Sequence, residues 1–437
     1  MISLSYSIFL STVTSNYAVF LFHFLSFLIL FLKFFPLLSL RQGQILFQTD
    51  KFSVADEQRI DYNHYEVIFM AGSTFGTAFS ITTWGESHGE GVGVVIDGCP
   101  AGLPLSEDDI QAFLNRRKPG QSSYTTPRKE DDTAVILSGI FEGKTTGTPI
   151  CVAVYNKSQR SKDYSAIKDI YRPGHADFTF DQKYGFRDYR GGGRSSGRET
   201  IGRVAAGAVA AKLLKQFGIE LCTYTESIHH IRINDAHFDA DEIMRNPVYM
   251  PDKEAAKKAA ALLEQKMGEK DSVGGVIRGI IRHVPAGLGE PVFDKLDALL
   301  AQAMFSVGAV KGFEIGDGFN AAFAFGSENN DAFTTDASGN IAKLTNHAGG
   351  ILGGMSDGSD ITYRVAVKPT PSIARPQSTV STNKTPVTVE IHGRHDPIIV
   401  PRAVVVIESM AALTLADLLL RNTGARLDTL KKFYLPS

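Results

Sequence analysis

From Met70 onward the sequence predicts an α+β fold built as one interwoven domain, and three observations carry that prediction. Short β-branched runs bounded by glycine or proline alternate with helical stretches. The stretch 198–216 holds Gly202, Ala205, Ala206, Gly207, Ala208 and Ala210, so it reads as a buried helix that another backbone approaches closely. Neither an internal repeat nor a low-complexity linker divides this part of the chain.

Phe79 to Asp97 reads as two extended runs around a tight glycine-rich turn, the second being Val92-Gly93-Val94-Val95-Ile96-Asp97. Ser106-Glu107-Asp108-Asp109 caps a short helix running to about Arg117. Strand-like runs follow at Thr133–Phe141 and Pro149–Tyr155, then a long polar stretch over 156–190. Ser196 and Glu199 have capping-box spacing for a helix from Arg198 to Gln216. Further helices are expected at 253–267, 293–305 and 402–421, and glycine-rich turns at 312–318, 349–358 and 423–424. His229 and His230 are adjacent and would point apart on a strand, so they read as surface or packing residues, and no metal-ligand set stands out.

Charge is nearly balanced, with 45 Lys+Arg against 47 Asp+Glu and a formal net charge of −2. That speaks against a nucleic-acid protein relying on counterion release. A hydrophobic share of 43% speaks against wholesale disorder. Cys99, Cys151 and Cys222 are odd in number and widely spaced, which excludes a disulfide framework or a cysteine zinc site and suggests a reduced, cytoplasmic compartment.

Residues 1–69 are different in character. They contain one glycine of the chain's 41 but 11 of its 28 phenylalanines, and Tyr17 to Leu40 is almost entirely apolar. Roughly 20 apolar residues can span a bilayer, yet no Lys or Arg precedes Lys33, which a secretory signal would need. The expectation is an N-terminal extension over 1–69, translated from upstream of the true start or disordered, with a membrane anchor or a targeting segment as alternatives. The catalytic domain is expected over 70–437, with no stable membrane association.

Three constellations carry candidate chemistry. Gly85-Glu86-Ser87-His88-Gly89 formally matches a serine nucleophile elbow, but a strand-like run follows instead of a helix, so a placed histidine on a glycine turn fits better. Arg172-Pro173-Gly174-His175-Ala176-Asp177 and Arg187 to Arg198 put five arginines near a helix N-terminus and the glycines 191–193, a pattern suited to anions. Gly393-Arg394-His395-Asp396-Pro397 precedes the last helix, and Lys368-Pro369-Thr370-Pro371-Ser372 and Gly349 to Gly354 are loops where backbone can meet a ligand. No P-loop and no dinucleotide fingerprint is present. Read locally, this is an enzyme with a large anionic-ligand site and placed histidines.

Together these segments resemble the chorismate synthase family from Met70 to about Arg421. The resemblance implies a β-α-β sandwich, with a helical core between antiparallel sheets, assembled as a homotetramer. It implies conversion of 5-enolpyruvylshikimate 3-phosphate to chorismate and phosphate by an anti-elimination that needs reduced FMN. It also implies that His175 protonates the reduced flavin ring, that His88 protonates the departing phosphate, and that Asp396 assists the flavin nitrogen that takes up hydrogen. Arg194, Ser195, Ser196, Gly308, Ala309, Gly353, Lys368, Pro369, Thr370, Pro371, Ser372 and Arg394 match the family's FMN contacts. Arg117, Ser123 and Arg198 match positions around the substrate or the nicotinamide of NADP, although the family commonly has a basic residue at position 123. That departure speaks against intrinsic NADPH use, and with no additional flavin-reductase domain visible the resemblance implies the monofunctional type, supplied by an external flavin reductase. The alternative from another class is a non-catalytic flavin- or phosphate-binding protein with the same fold.

Overall fold

The computed structural model describes residues 72–120, 124, 130–157, 167–391 and 396–435, and the short pair Leu40–Arg41 and Gln44–Ile45. The chain divides into units 1–70 and 71–437, each taken by itself. Of the first, only the antiparallel pairing of Leu40–Arg41 with Gln44–Ile45 is described, and the apolar run 17–39 lies outside the described residues.

The second unit begins with an antiparallel sheet. β1 (Ser80–Gly85) and β2 (Gly91–Asp97) form a hairpin, and β3 (Ile150–Tyr155) joins the far side of β2. Thr74–Phe75 and Val135–Ile136 complete five strands. Val92, Val94 and Ile96 alternate along β2 and are buried, as period-2 side chains on a core-facing strand must be. The continuous strand expected at Thr133–Phe141 is broken. Gly139 turns the chain at φ +83°, leaving only Val135–Ile136 and Ile140–Phe141 extended.

α1 (Glu107–Arg117) starts at Ser106, where Asp109 accepts from the Ser106 N–H at 2.9 Å. The polar stretch 156–190 contains a helix the sequence pattern does not announce, α2 (Asp177–Tyr184), closed by the left-handed Gly185. α3 (Thr200–Lys215) is the buried small-residue helix, preceded by a 3₁₀ turn at Gly197–Glu199. Ser196 accepts from the Arg198 N–H, but Glu199 does not reach back to it. Both Glu199 oxygens instead accept from Arg203 Nε at 3.0 Å, one turn on.

A second antiparallel sheet has β5 (Gly275–Arg282) between β4 (Glu220–Ile228) and β7 (Ile361–Val367), with β6 (Val310–Ile315) beyond β7 and Ile231–Arg232 beyond β4. α4 (Lys253–Gly268), α5 (Leu296–Phe305) and α6 (Val400–Arg421) follow, with shorter helices at Gly326–Asn329 and Leu427–Tyr434. His229 and His230 lie in the turn after β4, not on a strand. With His229 at φ +52°, their Nδ1 atoms approach to 2.7 Å rather than pointing apart.

α3 packs against β1, β2 and β3, α6 packs against β4 and β5, and the two helices pack on each other. α6 is long and apolar enough to cross a membrane, yet 83% of its apolar window is buried within the fold. Near its end Asp417 Oδ1 accepts from the N–H groups of Thr77, Ala78 and Phe79 at 2.9, 2.6 and 3.0 Å. Asp417→Ala should cost about 3 kcal/mol or more by stranding those donors. The check is a fall in the urea midpoint with unchanged slope, smaller in Asp417→Asn.

Candidate active site

Gly191, Gly192 and Gly193 form a turn with φ of +70°, +86° and +52°, a conformation that glycine adopts at little cost. A Cβ on Gly191 would stand 2.6 Å from His88 Nδ1, and one on Gly192 would stand 3.0 Å from His175 Cε1. Two histidines 87 positions apart in sequence therefore rest on neighbouring glycines of one turn.

His88 sits in the β1–β2 turn, which the Gly89 N–H closes onto Glu86 O at 3.2 Å. The ring is buried, and Ser87 Oγ lies 3.1 Å from Nδ1. This Gly85–Gly89 segment connects two antiparallel strands, which is not the strand-to-helix elbow of a serine hydrolase. Asn156 fixes the turn from outside by donating to Glu86 O and Gly89 O at 3.2 and 2.9 Å.

His175 lies just before α2. Its Nδ1 is 3.0 Å from Arg172 Nη2 and 3.2 Å from Asp177 Oδ1. Burial raises the Asp177 carboxyl, but the Arg172 hydrogen bonds and then His175 outweigh it and hold it well below the usual carboxylate range. The loop after β7 reaches the same place, where Lys368 Nζ donates to Gly174 O at 2.8 Å and Pro371 packs against Gly174. The Lys368 N–H donates to Ala309 O at 2.9 Å, and Ala309 is at φ +72° after Gly308. Ser372 and the Thr370 hydroxyl are buried, and Thr370 Oγ1 has no hydrogen-bond partner among the described residues.

Four of the five arginines in 172–198 are matched by acids: Arg172 by Asp177, Arg187 by Asp181, Arg190 by Asp188, and Arg198 by Glu130 and Asp132. Arg194 is the exception. It donates to Thr83 O, Thr83 Oγ1 and Gly85 O, tying the glycine turn to the end of β1. Arg194 and Lys368 are thus the cations at this turn without a carboxylate partner among the described residues. Ser195 donates to Gly192 O at 2.7 Å and Ser196 caps the turn before α3, so both stabilise the cradle.

Arg117 and Arg198 meet below the turn on Asp132, which takes Arg117 Nη1 at 2.9 Å and Arg198 Nη1 at 3.0 Å. Arg117 also donates to Thr200 Oγ1 and Gly197 O, and burial pushes its guanidinium down to about 10, still charged at neutral pH. Arg198 Nε donates to Asn156 Oδ1 at 2.5 Å, which links this hub to the His88 turn. Its Nη2 is buried with no hydrogen-bond partner among the described residues. Asp396 pairs with Arg402, whose Nε donates to Arg117 O at 3.0 Å, so Asp396 stands on the Arg117 side. Gly353 is in the turn between Ile351–Leu352 and Met355–Ser356, and no hydrogen bond joins it to the histidine loops among the described residues. Ser123 and Arg394 lie outside the described residues. One cavity of about 330 Å³ lies beside Leu105, Ile136 and Ile140, with no histidine in its wall. Another, of about 160 Å³, is lined by Glu130, Asp132 and Tyr155 beside the hub.

Sequence reasoning placed Arg172 and Asp177 in the anion-binding pattern without a role toward His175, and it passed over Asp132, Glu130 and Asn156. Arg172 and Asp177 had a local signal, an arginine three before and an aspartate two after a histidine. Asp132 and Glu130 had none, because 66 positions separate Asp132 from Arg198.

A family model described as chorismate synthase matches residues 79–420. The chorismate synthase of Lachnoclostridium phytofermentans is 65% identical over 365 residues, covering 84% of this chain and 100% of that protein. That of Agathobacter rectalis is 63% identical, covering 84% and 99%. A crystal structure of chorismate synthase superposes with a TM-score of 0.63 at 32% identity, covering 82% of this chain and 96% of that one.

Proposed function

The chain belongs to the chorismate synthase family of carbon–oxygen lyases, and from that premise we propose how its residues divide the work on 5-enolpyruvylshikimate 3-phosphate. The observation that carries the reading is the placement of His88 and His175 on adjacent glycines of one turn. A bound reduced flavin supplies the electron and hydrogen-accepting chemistry that no side chain offers for a weakly acidic carbon-bound hydrogen.

The residues around the turn fit such a group. The glycines leave backbone approachable, the Thr370 hydroxyl is buried without a partner among the described residues, and Lys368 and Arg194 carry charge that no carboxylate there cancels. Lys368, Thr370, Ser372, Ala309 and Ser195 would hold it, with Lys368 taking the phosphate as a compact point charge. His88 donates a proton to the departing phosphate oxygen, which lowers the charge the leaving group must bear. His175 holds a proton at its ring toward the cofactor, and Arg198 offers Nη2 to the anionic substrate. Asp396, paired with Arg402, would be the assisting carboxylate.

The architecture is read as a β-α-β sandwich, supported by α3 on one sheet, α6 on the other and the two helices packed together. A homotetramer is supported by the exposed Phe319, Phe323, Phe325 and Phe333 in one segment, apolar side chains that an interface between copies would cover. Free thiols at Cys99, Cys151 and Cys222 support a cytoplasmic setting, in which a separate reductase delivers flavin already reduced. Incubating the protein anaerobically with reduced FMN and substrate should release chorismate and phosphate. Flavin binding without chorismate would favour the non-catalytic alternative and end this reading.

A further inference from the structure

Arg172 and Asp177 form a closed fork beneath His175. Arg172 Nε donates to Asp177 Oδ2 and Nη2 donates to Oδ1, both at 2.7 Å, while the Arg172 N–H reaches Oδ2 at 3.1 Å. Both side chains are only 5% exposed, so water does not compete for these bonds. The His175 ring nitrogen Nδ1 meets both arms, a donor at 3.0 Å and an acceptor at 3.2 Å.

We propose that Arg172 and Asp177 are positioning residues that hold the His175 ring in one orientation in every protonation state, leaving Nε2 as the nitrogen that exchanges the proton. When Nδ1 carries hydrogen it donates to Asp177 Oδ1; when it carries none it accepts from Arg172 Nη2. A proton can therefore enter or leave at Nε2 without rotation of the ring, and the fork itself gains and loses none. Fixed geometry matters because a proton donor acts only within hydrogen-bond reach of its target. Among the described residues, His175 meets Arg172 and Asp177 on its own loop and uncharged Gly192 on the glycine turn, while Lys368 on the loop after β7 donates to the adjacent Gly174 O. This inference rests on the reading of His175 as a proton-holding group.

The two arms carry opposite charge, so removing them has opposite effects. Asp177→Asn deletes the anion that favours an imidazolium and should move the basic limb of the kcat profile down by roughly one pH unit; Arg172→Gln should move it up by a similar amount. The ¹³Cε1 signal of labelled histidine, assigned to His175 by its loss in His175→Gln, should titrate with the same opposed displacements. Shifts in one direction only, or a loss of stability with no shift, would overturn the proposal. Should either variant fail to fold, crystals of the wild-type protein soaked at acidic and at alkaline pH decide the matter. One ring orientation with Nδ1 still on the fork supports the proposal, and a flipped ring at either pH refutes it. Full turnover in His175→Gln would sink the catalytic reading of His175, whereas opposed displacements of its signal would still establish the fork.

Discussion

His88→Ala should lower turnover by roughly 10²–10⁴-fold, the usual contribution of a positioned proton donor, while the protein stays folded. His88 is 7% exposed and the Gly191 backbone lies against its ring, so bulk water has little room to replace it. Ser87 Oγ, 3.1 Å from its Nδ1, is far too weak an acid to take over. The loss should fall on kcat, because the proton is delivered as the carbon–oxygen bond breaks and not when substrate binds. Anaerobic single-turnover rates, with circular dichroism to establish folding, test this. A rate near wild type would remove His88 from the chemistry.

Gly207→Ala should destabilise the fold by about 1–3 kcal/mol or more, and Gly207→Val should prevent folding at 37 °C. Gly207 faces Ser409 where α3 crosses α6. A Cβ there would stand 2.6 Å from Ser409 Cα, a backbone atom that cannot move aside alone. Relief requires the helices to separate, and α3 and α6 then lose their grip on the two sheets they cover. Urea denaturation should show the midpoint fall at constant slope. Ser409→Gly in the Gly207→Ala background should recover part of the loss, since it removes the side-chain share of the clash. An unchanged midpoint in Gly207→Ala would show that the crossing is looser than this geometry requires.

Much of the fold was legible because its signals are local. Ser106 announces α1, the alternation of Val92, Val94 and Ile96 announces β2, and the small residues of 200–210 announce a helix that lets another backbone come close. The errors were also local signals, ones that tertiary partners overruled. Glu199 has capping-box spacing but finds Arg203 at 3.0 Å, and the run Thr133–Phe141 is broken by a turn at Gly139. α2 does not stand out in the sequence because Phe178 and Tyr184 are exposed and its one buried position is charged, Asp177.

The arginine cluster shows the division most clearly. The sequence alone determines that five arginines, three consecutive glycines and two histidines in glycine-rich contexts exist, and that such residues suit an anionic ligand. It does not determine which arginines keep charge to spare. Only the tertiary structure matches Arg198 with Glu130 and Asp132, gives Arg172 to Asp177, and leaves Arg194 and Lys368 without a carboxylate partner among the described residues. The physical reason is range. Composition and periodicity record what each residue prefers over a few neighbours, whereas an ion pair needs atoms within about 4 Å, and the fold sets those distances across scores of residues of chain.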